Sequence, residues 1–304
     1  MQVETHFDCI IIGAGISGMT AAIYLKRYGY NVVLIEKSTY GGQMNQISII
    51  ENYPGCDRID GYTLSQNIYK QVKSLNVPII YDNVISVIDN NLEKKVLTKD
   101  NEYQAKVVIL ALGRERKMLG FPNEKSLIGS GISFCATCDG AFFKDEDVCV
   151  VGGGNSALEE ALCLSKFCKN VTIINRSSVL RADAILANKV KKINNINILY
   201  NSVIETLNEE NGQLKSIILK NGEEIKAKGL FIYIGLEANL SFLDNLDLQI
   251  DNNSIIVSSL METNIKGIYA CGDCIKKSLY QLVTASSEGA IAASSASKYL
   301  GESI

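Results

Sequence analysis

A strand, a glycine-rich turn and a helix occur in this chain twice, and that repeat limits the fold more than any other feature. Asp8-Cys9-Ile10-Ile11-Ile12 is an unbroken apolar run, as in a parallel strand buried on both faces. It enters Gly13-Ala14-Gly15-Ile16-Ser17-Gly18, then a helical pattern from about Met19 to Tyr28, then a second strand, Asn31 to Ile35, ending in Glu36. Gly13 permits a tight turn, Gly15 lets backbone approach a pyrophosphate, and Gly18 lets helix and strand pack closely. The helix N-terminus offers unpaired N–H groups and the positive end of its dipole to phosphate. Glu36, 18 residues past Gly18, stands where an acid accepts from a ribose hydroxyl. The pattern returns 139 residues later as the strand Asp147 to Val151, the turn Gly152-Gly153-Gly154-Asn155-Ser156-Ala157, a helix from Leu158 to Phe167 and the strand Asn170 to Ile174. Two such units in one chain imply two dinucleotides, and two dinucleotides imply electron transfer between a flavin and a nicotinamide.

The predicted class is therefore α/β, with two Rossmann-like nucleotide-binding domains, the second inserted in the first. A length of 304 residues suits two domains. The expected boundaries are 1–113 with 242–304 for the first domain and 117–241 for the second. The polar crossings Arg114-Glu115-Arg116-Lys117 and Leu236-Glu237-Ala238-Asn239 lie between them. The second includes an antiparallel excursion between about Val203 and Ile234, with turn signals at Asn211-Gly212 and Asn221-Gly222. A long Ala/Ser-rich helix from about Gln281 to Leu300 is expected near the end. Thirty basic residues against 33 acidic give a net charge of −3, no basis for binding nucleic acid or an anionic membrane. With 47% hydrophobic and 21% charged residues the chain is globular, and no apolar run reaches membrane-spanning length. The N-terminus lacks the basic region of a signal peptide, which points to the cytoplasm.

Nine cysteines, an odd number, do not describe a secreted disulfide scaffold. Cys9, Cys149, Cys163 and Cys168 fall in apolar patterns and read as core thiols, and Cys56 reads as a loop thiol. The other four form two CxxC pairs. Cys135-Ala136-Thr137-Cys138-Asp139 sits just before the second nucleotide-binding strand. Such a pair can be redox-active, zinc-binding or accidental. Zinc would need two more ligands, but the other CxxC, Cys271-Gly272-Asp273-Cys274, is 133 residues away and the one histidine is His6. No metal is expected. A dithiol can pass two electrons as a unit, one thiolate attacking while the other resolves, and Asp139 is placed to give or take the proton.

These residues carry a family resemblance over nearly the whole chain. The sequence closely resembles the bacterial low-molecular-weight thioredoxin reductases, most specifically in Cys-Ala-Thr-Cys-Asp-Gly at 135–140 followed by Gly-Gly-Gly-Asn-Ser-Ala-Leu-Glu-Glu-Ala from 152. Gly41-Gly42-Gln43-Met44, Glu51-Asn52-Tyr53-Pro54-Gly55, Ala111-Leu112-Gly113 and Gly272-Asp273 support it. The resemblance implies FAD on the first unit, a nicotinamide dinucleotide on the second, and a homodimer. It implies an electron path from nicotinamide to flavin to Cys135–Cys138 to thioredoxin, with Cys138 facing the flavin and Cys135 attacking the partner. FAD is then expected at Gly13, Ala14, Gly15, Ser17, Gly18, Glu36, Lys37, Gly41, Gly42, Gln43, Asn52, Gly113, Gly272, Asp273 and Gln281. NADPH, with NADH as the alternative, is expected at Gly152, Gly154, Asn155, Ser156, Ala157, Asn175, Arg176 and Arg181.

The chain departs from the family pattern in three places. The His-Arg-Arg motif for the 2′-phosphate, with its following arginine, is here Asn175-Arg176-Ser177-Ser178-Val179-Leu180-Arg181. The usual Arg-Gln of the C-terminal flavin segment is Tyr280-Gln281, and Cys271 and Cys274 flank Gly272-Asp273. The second pair reads as two small residues in a buried turn. Asn175 holds the place that Glu36 holds in the first unit, so nothing there repels a 2′-phosphate, and two arginines predict a moderate preference for NADPH. Reduced ferredoxin as donor, or a non-catalytic dinucleotide-binding sensor, are the other readings. The intact second glycine motif argues against the former, and the CxxC-Asp against the latter.

Overall fold

Strand His6–Ile12, which ends in three isoleucines, lies between two parallel neighbours in a computed structural model that describes residues 5–47 and 49–302. The chain divides into two units, Met1–Glu115 with Glu237–Ile304, and Arg116–Leu236.

In the first unit the sheet runs Ile79–Tyr81, Val32–Glu36, His6–Ile12, Glu102–Leu110, Lys94–Thr98, Val84–Asp89. The strand Glu102–Leu110 pairs parallel with His6–Ile12 along one edge. Its other edge is shared. The antiparallel hairpin takes residues 102–105, and Ile268–Ala270, returning from the C-terminal part of the chain, pairs parallel with 108–110. Helices Ile16–Arg27 and Leu282–Glu302 pack together. A Cβ on Gly289 would fall 2.2 Å from the Ser17 carbonyl oxygen, so these backbones approach where a side chain would clash.

The second unit has a five-stranded parallel sheet in the order Ile196–Leu199, Asn170–Ile174, Asp147–Val151, Gly229–Ile232, Ile132–Ser133. The antiparallel excursion is a separate three-stranded sheet, Ile204–Glu210, Gln213–Leu219 and Glu224–Lys226. It stops earlier than expected. Gly229-Leu230-Phe231-Ile232 is fully buried and joins the parallel sheet beside Asp147–Val151, as a continuous apolar run should.

The helices after the two glycine turns begin at Ile16 and Asn155, three residues before the apolar periodicity suggests. Gly15 and Gly154 occupy the N-cap positions, so the last residues of each turn already form the first helical turn. Among the described residues no helix is long and apolar enough to cross a membrane.

Candidate functional site

The two glycine turns share the same corner bond. The Gly13 N–H donates to Ile35 O at 2.8 Å, and the Gly152 N–H donates to Ile174 O, 139 residues on, at 3.1 Å. Both glycines have positive φ, +105° and +139°. At each, a Cβ would sit 2.3 Å from a carbonyl oxygen, of Ala111 and of Tyr233 respectively. The protein's own packing therefore demands both residues. Gly15 and Gly154 differ: their backbone is extended, and a Cβ on either meets nothing within 4 Å. Nothing in the protein requires glycine there. A group lying against the backbone at a helix N-terminus would, and a dinucleotide pyrophosphate is such a group.

In the first unit Glu36, Gly41, Gly42 and Gly272 touch residues of this turn. The Gly41 N–H donates to Ala14 O at 2.8 Å. Positions built at Gly42 and Gly113 come 3.7 Å from Gly15 Cα and Gln43 Nε2, and one at Gly272 comes 2.4 Å from Ser17 Oγ. Asn52 Nδ2 donates to Gln281 Oε1 at 3.0 Å. Glu36, 8% exposed, accepts from the Ala14 N–H at 2.8 Å through Oε2 and from the Ser38 N–H at 3.0 Å and the Ser38 hydroxyl at 3.4 Å through Oε1, which leaves a lone pair on Oε2. Lys37, exposed, pairs with Glu115. Asp273 Oδ1 is buried without a hydrogen-bond partner, an acceptor suited to a ligand hydroxyl. These residues fit a dinucleotide. Cys271 and Cys274 are both buried free thiols, and burial pushes Cys271 well up and Cys274 up to about 11. Neither is a thiolate near neutrality, as the small-residue reading requires.

In the second unit the place of Glu36 is taken by Asn175, 5% exposed. Its Nδ2 donates to Ser177 O at 2.9 Å and to Val179 O at 3.0 Å, so both amide hydrogens are used within its own loop. A Cβ on Gly153 would fall 2.4 Å from Asn175 Oδ1. Asn175 therefore shapes the 176–181 loop and offers no N–H to a ribose. The Arg181 N–H donates to Gly153 O at 2.7 Å, which folds the loop back to the glycine turn; Arg176 and Arg181 are both exposed. Asn155 spends its side chain on Asp183, through Nδ2 to Oδ2 and Oδ1 from the Asp183 N–H, both at 2.8 Å. Ser156 is exposed, and Ala157 packs under Gly152.

The disulfide Cys135–Cys138 spans 5.3 Å between Cα atoms. It follows the edge strand Ile132–Ser133, at the sheet end that carries the second glycine turn. Ser133 Oγ accepts from the Cys135 N–H at 3.1 Å and donates to Asp139 Oδ2 at 2.6 Å, tying the acid to the motif. The Cys138 N–H donates to Cys135 Sγ at 3.2 Å, which favours negative charge on that sulfur. The Ala136 N–H donates to Tyr233 Oη at 3.1 Å. Beneath it lies Glu160, whose Oε2 is buried with no hydrogen-bond partner and whose carboxyl burial pushes up. The Arg116 guanidinium stands 5.7 Å over the Tyr233 ring. Sequence reasoning missed Ser133, Tyr233 and Glu160. Only Ser133 left a trace, a hydroxyl two residues before the motif.

A disulfide at the C-terminal edge of a parallel sheet, with two glycine-cornered nucleotide turns, defines a dinucleotide-driven disulfide oxidoreductase. The family model described as pyridine nucleotide-disulphide oxidoreductase matches residues 7–289. The thioredoxin reductase of Bacillus subtilis is 41% identical over 307 residues, covering 99% of this chain and 97% of the relative. Among solved structures, the thioredoxin reductase of Lactococcus lactis aligns with a TM-score of 0.84 at 38% identity, covering 97% of this chain and 99% of that one. The thioredoxin reductase of T. acidophilum aligns at 0.80 with 32% identity, covering 97% and 99%. The chain belongs to the pyridine nucleotide-disulphide oxidoreductase family, among its low-molecular-weight thioredoxin reductases. Flavin and pyridine nucleotide use come with that membership.

Proposed function

We propose that this protein is a thioredoxin-disulfide reductase that takes electrons from NADPH, passes them through FAD to Cys135–Cys138, and delivers them to oxidised thioredoxin. The observation that carries the reading is the Cys135–Cys138 disulfide with Asp139 tethered through Ser133. Bound FAD would supply two-electron exchange between a nicotinamide and a disulfide. The residues gathered at Gly13–Gly18, Glu36, Gly41–Gln43, Asn52, Gly113, Asp273 and Gln281 would hold it, with the pyrophosphate over Gly15. Gly152–Ala157 and the Arg176–Arg181 loop would hold the nicotinamide nucleotide.

Opening the disulfide consumes two electrons and two protons and yields two thiols; Asp139 is placed to supply one proton. In the forward direction the Cys135 thiolate, supported by the Cys138 N–H, attacks a sulfur of the thioredoxin disulfide. Asp139 holds the proton that Cys135 gave up and returns it to the other thioredoxin sulfur, which leaves as a thiol. Cys138 then attacks Cys135 Sγ, the mixed bond breaks, the Cys138 proton passes to the second thioredoxin sulfur, which departs as a thiol, and Cys135–Cys138 re-forms.

Support for NADPH is the absence of an acid at position 175 and two exposed arginines in the following loop; charge-assisted bonds to phosphate are worth about 1.5–3 kcal/mol each. The reading includes a homodimer, from the family resemblance, and a reducing compartment such as the cytoplasm, from seven free cysteines among the described residues. Parallel anaerobic titration of the flavin absorbance with NADPH and NADH tests the donor. NADPH should bleach it at lower concentration, with the advantage lost in Arg176→Ala. Bleaching by neither would return ferredoxin to consideration.

A further inference from the structure

We propose that Lys277 is a positioning residue for the flavin site, holding the Asp273 carboxylate ready for a cofactor hydroxyl; this rests on the FAD reading of the first unit. Lys277, its side chain 9% exposed, stands between two carboxylates, 3.0 Å from Asp273 Oδ1 and 2.8 Å from Glu288 Oε2. Glu288 projects from the C-terminal helix Leu282–Glu302, and its Oε2 also accepts from the Gly272 N–H at 3.0 Å. The Lys277 contact to Glu288 differs from its contact to Asp273. Lys277 makes an aligned hydrogen bond to Glu288 but none to Asp273, whose Oδ1 is buried without any hydrogen-bond partner. The ammonium therefore stabilises the Asp273 charge without consuming that acceptor. A buried carboxylate with no counter-charge would be costly, and one fully bonded to lysine would have less capacity left for a ligand.

The backbone here does not need Lys277. Arg114 Nε donates to Asp273 O at 2.9 Å, the Cys271 N–H donates to Leu110 O at 3.0 Å, and Gly272 is held by Glu288. Arg114 is itself fixed by Ser254 Oγ and Tyr280 Oη, both at 2.9 Å, and its guanidinium stacks 4.1 Å over the Tyr280 ring. Tyr280, the departure from the family's Arg-Gln, thus serves as the platform for Arg114. Removing Lys277 would free the carboxylate and leave the main chain in place.

The test is FAD release from the purified holoprotein on dilution, followed by the rise in free flavin fluorescence. Lys277→Met should weaken FAD about tenfold or more, and Lys277→Arg should restore most of the loss. Because Lys277→Met leaves Glu288 unpaired, the charge-matched double variant Lys277→Met with Glu288→Gln guards against simple misfolding and should still release FAD faster. A double variant that keeps FAD like the wild type would show that Lys277 only neutralises Glu288, and would overturn the proposal. Asp273→Asn separates the two levels. If it keeps FAD unchanged, the FAD reading at Asp273 fails and takes the proposal with it. If it loses FAD while the double variant does not, the Lys277 proposal alone fails.

Discussion

Gly154→Ala distinguishes a glycine kept for the fold from one kept for a ligand. The methyl group meets no protein atom within 4 Å, and φ −96°, ψ 178° is open to alanine. Alanine at an N-cap is worse than glycine by some tenths of a kcal/mol, and the stiffer unfolded chain returns about 0.4–1 kcal/mol. The fold should therefore change by no more than about 0.5 kcal/mol, a Tm shift of roughly 1–2 °C. Nucleotide binding should change far more. A pyrophosphate pushed off the turn loses backbone N–H bonds to its charge, each worth about 1.5–3 kcal/mol, so losing two costs at least about 3 kcal/mol. At about 1.4 kcal/mol per tenfold, affinity for NADPH should fall at least about a hundredfold. The assay is anaerobic titration of the flavin absorbance in the holoprotein, which stays yellow because the first unit is untouched, beside a thermal melt. Nucleotide binding within about twofold of wild type would refute the cradle at Gly154. A Tm drop beyond about 5 °C would show that the protein itself needs the glycine. Gly152→Ala is the contrast: its Cβ would lie 2.3 Å from Tyr233 O, so it should damage the fold of the second unit.

Cys135→Ser and Cys138→Ser should each abolish thioredoxin reduction while nicotinamide still bleaches the flavin; wild-type turnover in either would remove the dithiol from the path. Asn175→Ala frees the carbonyls of Ser177 and Val179, two bonds worth about 0.5–1.5 kcal/mol each, and should lower Tm by a few degrees and raise KM for NADPH several-fold. An unchanged KM would show that the 176–181 loop holds its shape without it. Burial raises the Glu160 carboxyl above its ordinary 4.5, so the folded state favours the protonated form. Its contribution to stability is complete below that value and declines as pH rises through the raised one, so Glu160→Gln should flatten the loss of urea midpoint between pH 4.5 and neutrality. An unchanged slope would exclude Glu160 as its source.

Both nucleotide units were legible because each is local: strand, turn, helix and next strand fall within about 30 residues, where periodicity and glycine spacing are informative. The Cys135–Cys138 motif was legible for the same reason. The supports around it were not. Tyr233 meets Ala136 only because the strand Gly229–Ile232 returns beside Ile132–Ser133, a pairing that hydrophobic pattern alone does not specify. That strand was placed within the antiparallel excursion because an apolar run does not reveal which sheet it joins. Asn175 occupied the right register for a ribose reader, yet its amide turned inward, since a short polar side chain bonds nearby backbone readily. Lys277 gave no signal, as its two carboxylate partners are 4 and 11 residues away and a surface charge run reads identically.

The shared edge of Glu102–Leu110 has a consequence for how the chain is made. Ala270 pairs with Leu110, 160 positions earlier in sequence, and the whole of unit Arg116–Leu236 is synthesised in between. On the ribosome, the inner unit is complete while the outer one still lacks an edge strand and its C-terminal helix. Sequence-distant pairing is slow, because loop closure must be met before contacts reward it, and open strand edges are prone to misassociation. The early-born sheet thus waits, unfinished, for a partner that emerges last. Folding order inverts reading order: the segment inserted second is the first able to become native, and arrest peptides placed after residue 236 and after residue 302 would register that inversion as two separate folding events.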